Sequence, residues 1–158
     1  MRLCGFARPS GRAFGEVGYS LPMRILAIDF GEKRIGLATC DPTEQVVTAR
    51  RTLARTSDAQ AVRAISLFCR DEEVEQIVLG LPRSPEGAES SFALRTRSFR
   101  EKLEKIAAVP VTFHEETLTS WEAERSLGPR QGRKEEIDRE AAAILLTDYL
   151  AAKRGRAS

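Results

Sequence analysis

From Met23 onward, short apolar runs rich in β-branched residues alternate with stretches of helical period. RILAIDF (24–30) and RIGLATC (34–40) are separated only by Gly31-Glu32-Lys33, close enough to pair as an antiparallel hairpin, and Gln45 to Leu53 extends the meander as a third strand. Between Asp58 and about Asp71, Val62, Ile65 and Cys69 recur at i, i+3 and i+7, the stripe of an amphipathic helix. The run Gln76-Ile77-Val78-Leu79-Gly80, bounded by Pro82 and the loop around Gly87, has the unbroken apolar character of a strand buried on both faces. Helix resumes near Glu89, with Phe92, Phe99, Leu103 and Ile106 on one face, and Val109 to Phe113 forms a further strand. Thr119 and Glu122 have the spacing of a capping box, opening a short helix that stops at Gly128-Pro129. Residues 129–136 read as a polar, helix-breaking mobile loop. In the final helix, Asp138, Ala142, Leu145 and Tyr149 share one stripe.

Three antiparallel strands followed by strands that alternate with helices predict an α/β fold, a mixed five-stranded sheet with flanking helices. At 158 residues the chain is long enough for one domain with a substantial core and short for two. Residues 1–22, rich in Gly, Arg, Ser and Pro, read as a disordered extension; 23–154 form the domain, and 155–158 a tail. The extension lacks the apolar core of a secretory signal; a transit peptide and a true start at Met23 are equally economical readings. Its Arg2, Arg8 and Arg12 against Glu16 supply the whole net charge of +2, so any nucleic-acid surface on the domain must come from local clustering of basic side chains.

Composition narrows the chemistry. No apolar run reaches the length of a transmembrane helix. Cys4, Cys40 and Cys69 are odd in number and widely spaced, which predicts reduced thiols and a cytoplasmic protein rather than a disulfide or zinc framework. A single histidine, His114, gives a Ser-His-Asp triad or a histidine-rich metal site little to build on. Carboxylates are left as the main chemical groups at neutral pH.

Three acids stand out. Asp29 closes an otherwise apolar strand, where a buried charge needs a partner; the alternative is a turn aspartate accepting from the Gly31 region. Asp138 lies on the core-facing stripe of the last helix, ahead of the small residues Ala141 to Ala143; the alternative is an N-cap. Glu116 follows the Val109–Phe113 strand with the parity of Thr112 and His114, whereas Glu115 has the opposite parity; the alternative is an acidic loop. Two carboxylates about 4 Å apart repel by roughly 4 kcal/mol at an effective dielectric near 20, and a shared cation reverses that sign. Hard oxygen ligands suit Mg²⁺ or Mn²⁺, and phosphodiester hydrolysis is the reaction such a site serves.

The segments IDFGEKRIGLA (28–38), GLPRSPEG (80–87), EETLTSWEAERSL (115–127) and IDREAAAILLTDYL (137–150) resemble, in order and spacing, the bacterial YqgF family. The resemblance runs from Met23 to about Leu150. It implies an RNase H-like fold and a nuclease acting on precursor 16S rRNA or on Holliday junctions, with Asp29, Glu116 and Asp138 as catalytic, metal-binding carboxylates for Mg²⁺ or Mn²⁺. Where the family reads Asp-Glu-Arg this chain has Glu115-Glu116-Thr117, and where it reads Asp-Gly the loop has Glu86-Gly87; its later glycine is replaced around Ser90.

Lys33 and Arg34 are candidates to hold substrate phosphate, and Arg95, Arg97, Arg100, Arg130, Arg133 and Lys134 could form a backbone-binding track; the bland reading of both is a solvated surface. Trp121 reads as a packing residue, and Gly31 and Gly36 as serving the turn and close strand packing. The leading expectation is a cytoplasmic metal-dependent nuclease acting on precursor rRNA, a monomer or weak dimer with no membrane partner. The alternatives are a Holliday-junction resolvase, a non-catalytic RNA-binding module of ribosome assembly and, last, a sugar-kinase-like phosphotransferase, for which the chain lacks a second lobe.

Overall fold

The computed structural model describes residues 22–82, 89–116 and 131–157, the side chains of 116 and 131–133 excepted. Its elements are β1 (Ile25–Phe30), β2 (Arg34–Cys40), β3 (Val47–Ala54), α1 (Asp58–Asp71), β4 (Gln76–Pro82), α2 (Ser91–Ala107), β5 (Val111–Glu116) and α3 (Gln131–Ala157). They build one five-stranded sheet in the order β3-β2-β1-β4-β5. β1, β2 and β3 pair antiparallel, whereas β4 joins β1 and β5 joins β4 in parallel. The helices between parallel strands make the crossovers that parallel pairing requires. The C-terminal ends of β1, β4 and β5 and the start of β2 therefore share one end of the sheet.

Side-chain alternation divides each central strand between two cores. Leu26, Ile28, Ile35, Leu37, Ile77 and Leu79 face α1 and α2, packing with Val62, Ile65, Phe99 and Leu103. Ile25, Ala27, Cys40 and Val78 face α3 and pack with Leu145, Leu146 and Leu150. α1 and α2 each open on a serine cap: Ser57 Oγ accepts from Gln60 N–H and Ser90 Oγ from Ala93 N–H, both at 3.1 Å. At its far end α3 is tied down by Glu44, whose carboxylate accepts from Lys153 Nζ at 2.5 Å and from the Met23 N–H at 3.0 Å.

The mixed sheet of five strands with flanking helices is as expected, and the α1 boundaries coincide with the predicted ones. Three expectations need correction. Residues 131–136 are helical rather than a loop, so α3 begins well before Asp138. Asp138 accordingly lies inside the helix rather than at its N-cap. β5 starts later than predicted and runs on through Glu115 and Glu116, because β4 extends to Pro82 and gives them partners in register. Ile106 is 57% exposed: α2 reaches the rim of the core there, and Ala107 and Val109 take the inner positions after the left-handed Ala108. α3 runs on to Ala157. The N-terminal extension, the Thr119 helix, Trp121 and Arg130 lie outside the described residues.

Candidate active site

Asp29 is in register with Gly36 across the β1–β2 pair, and directly opposed residues in an antiparallel ladder share a face. That face is the one covered by α3. A Cβ built on Gly36 would sit 1.9 Å from the carbonyl oxygen and 2.4 Å from the carbonyl carbon of Asp138. Only glycine at 36 lets the helix backbone come this close to the strand. Gly36 thus serves strand-to-helix contact rather than contact between strands, and it seats the Asp138 turn of α3 beside Asp29.

Both carboxylates are buried, Asp29 at 7% and Asp138 at 1% exposure. Charges so withdrawn from water need strong compensation. For Asp138 part of it comes from Arg34, the first residue of β2, whose Nε donates to Asp138 Oδ2 at 2.6 Å. Arg34 has the parity of Gly36, so β2 holds the same turn of α3 twice, by backbone contact and by charge. The expected phosphate ligand is therefore engaged with an expected metal ligand. A sequence signal for this existed in the shared parity of Arg34 and Gly36, but nothing local links Arg34 to a residue 104 positions away.

Glu116 is the last residue of β5, in register with Pro82 at the same end of the sheet as Asp29; its side chain lies outside the description. Among the described residues, no three or more His, Cys, Asp and Glu side chains are grouped so as to hold a metal. The donors in place, two buried carboxylates on one face, have the oxygen chemistry that hard divalent cations take. His114 is edge-on to the Tyr149 ring at 5.7 Å between centroids, while Gln76 Nε2 donates to Tyr149 Oη and Thr112 Oγ1.

The hairpin turn beside the site is fixed from below by a residue the sequence reading passed over. Arg55 donates to the Glu32 carbonyl at 2.8 Å, lies over the Phe30 ring at 4.6 Å and pairs with Asp58. This leaves Lys33 exposed at the turn. The proposed arginine track on α2 is largely engaged internally: Arg95 pairs with Glu32, Arg97 with Glu89, and Arg97 and Arg100 both lie over the Phe113 ring.

The fold agrees with comparisons to known proteins. The chain is 39% identical over 133 residues to a protein of Synechococcus sp. named "Putative pre-16S rRNA nuclease", covering 82% of this chain and 89% of that one. A protein of the same name from Anaeromyxobacter sp. strain K is 39% identical over 133 residues, covering 81% and 96%. Among solved structures, RuvC of T. thermophilus in complex with a Holliday junction substrate superposes with a TM-score of 0.56 at 14% identity, over 84% of this chain and 96% of that one, a likeness of fold. The family described as RuvX, Holliday junction resolvase, matches residues 23–152, and the chain belongs to this family, the YqgF family that its motifs resemble.

Proposed function

We propose that the protein is a nuclease that hydrolyses phosphodiester bonds of precursor 16S rRNA during ribosome biogenesis in the cytoplasm. The observation that carries this is the seating of Asp138 on Gly36, opposite Asp29, which brings two buried carboxylates from remote segments to one end of the sheet. The names of the relatives support precursor rRNA as substrate. Asp29, Glu116 and Asp138 are the residues to hold Mg²⁺ or Mn²⁺, which when bound supplies an activated water and charge neutralisation at the phosphate. β1 and β2 fix Asp29, Gly36 sets the depth of Asp138, and Lys33 at the turn offers positive charge to the phosphate backbone.

Asp29→Asn tests this reading. Mn²⁺-dependent cleavage of a precursor 16S rRNA fragment should be lost, while the melting temperature without metal stays at or above that of the wild type, because one of two neighbouring buried charges is gone. Equal cleavage by both proteins overturns the assignment. The family's description favours branched DNA as the second reading, so the same assay includes a four-way DNA junction. Preferential cleavage of the junction would replace rRNA by DNA, and RNA binding without cleavage in either metal would leave a binding module.

A further inference from the structure

Arg34 sits where an external cation would have to compete. Its Nε holds Asp138 Oδ2 at 2.6 Å, with the carboxylate 1% exposed and the arginine side chain 32% exposed. A charge-assisted contact of that length on a withdrawn carboxylate is among the stronger polar interactions in a protein. A divalent ion that binds Asp138 through Oδ2 must share that oxygen with the guanidinium or displace it. Displacement is sterically open to Arg34, whose partly exposed chain can swing outward, and closed to Asp138, whose backbone is pressed against Gly36.

We infer that Arg34 is the resident counter-ion of Asp138, a positioning residue that keeps this carboxylate seated before a divalent cation arrives and that yields its place when one binds. This rests on Asp138 being a metal ligand. Arg34 then stabilises the metal-free fold and weakens the site's affinity for metal, two effects of one contact with opposite sign. It also makes the arginine available to a phosphate only once the cation has replaced it.

The test uses the full chain with Mn²⁺ as the probe and no nucleic acid. Metal-free melting temperatures should fall in the order wild type, Arg34→Lys, Arg34→Gln, because lysine keeps the charge without the fork geometry and glutamine keeps neither. Mn²⁺ dissociation constants from titration calorimetry should follow the same order downward, with Arg34→Gln binding about tenfold or more tightly than wild type, the factor expected from losing one hydrogen bond to a charged group. Mn²⁺ binding by a folded Arg34→Gln that is equal to or weaker than wild type overturns the inference. If that variant does not fold, Arg34→Lys decides by the same criterion. Asp138→Asn separates the two levels: if it leaves Mn²⁺ binding unchanged, the metal-site reading has failed, whatever Arg34 does.

Discussion

The two faces of the sheet are built by the same five strands and are put to different uses. Toward α1 and α2 the strands present Leu26, Ile28, Ile35, Leu37, Ile77 and Leu79, and the helices answer with Phe99, Leu103 and Ile65, all of them fully buried. Toward α3 the corresponding positions carry Ala27, Asp29, Gly36, Ala38 and Val78. The first face is interdigitated hydrocarbon. The second brings the helix backbone down onto the strand and buries two carboxylates under it. Stability is concentrated on one side so that the other can hold charges that a uniform hydrophobic core would reject.

Phe99→Ala is the substitution that should separate the faces most sharply. Its ring is fully buried and packs on Phe30 at 4.5 Å between centroids. Truncation should remove about 3–5 kcal/mol of unfolding free energy, measured by urea denaturation. On the proposed reading, cleavage per folded molecule should stay near wild type, since Phe99 lies on the face of the sheet opposite to Asp29 and Asp138. A fall in specific activity as large as the fall in stability would mean that the faces are not independent.

Gly36→Ala sharpens the comparison from the other side. The atoms a methyl group would meet belong to the Asp138 backbone, which cannot rotate aside as a side chain can. α3 must lift or tilt, at a cost of about 1–3 kcal/mol. The stability loss is thus smaller than for Phe99→Ala, whereas Mn²⁺ affinity and cleavage should be reduced far more, because Asp138 leaves its place beside Asp29. Intact metal binding in a folded Gly36→Ala would show that the close approach of helix and strand is dispensable for the proposed site.

This contrast also explains what was legible in the sequence. The hydrocarbon face announces itself by period: Val62, Ile65 and Cys69 give α1 its boundaries, and the run 76–80 gives β4 its buried character. The α3 face depends on pairings that no local pattern encodes. Glu115 and Glu116 have low strand propensity, yet they extend β5 because β4 offers them partners. Gly132 and the polar residues around it look helix-breaking, yet α3 starts at Gln131, and Thr52 Oγ1 of β3 donates to the Glu135 carbonyl within its opening turns. Asp29 and Asp138 were visible as acids in apolar settings, and the parity of Gly36 was visible too. The contact that joins them became visible only with the helix in place.

Acid should act on the two faces in different ways, and the smallest expected effect comes from the hydrocarbon side. There the charges are peripheral. Asp58, in the first turn of α1, accepts from Arg55 at 2.6 Å and from Lys102 at 2.9 Å. Burial pushes its carboxyl up, but the hydrogen bonds from Lys102 and Arg55, with their charges, outweigh this and hold it below its ordinary value of 3.8. A carboxyl lowered by folding contributes stability that is complete above the unfolded-state value and is lost as pH falls through the folded-state one. Asp58→Asn should therefore lower stability at neutral pH by about 1 kcal/mol or less, the range of solvent-screened ion pairs, and by progressively less below about pH 4. Melting curves of the two proteins across that interval should converge as the solution is acidified. A constant gap would mean that Asp58 acts through its position at the helix N-terminus and its packing rather than through its charge, leaving the α1–α2 face without an acid-sensitive contribution from this residue.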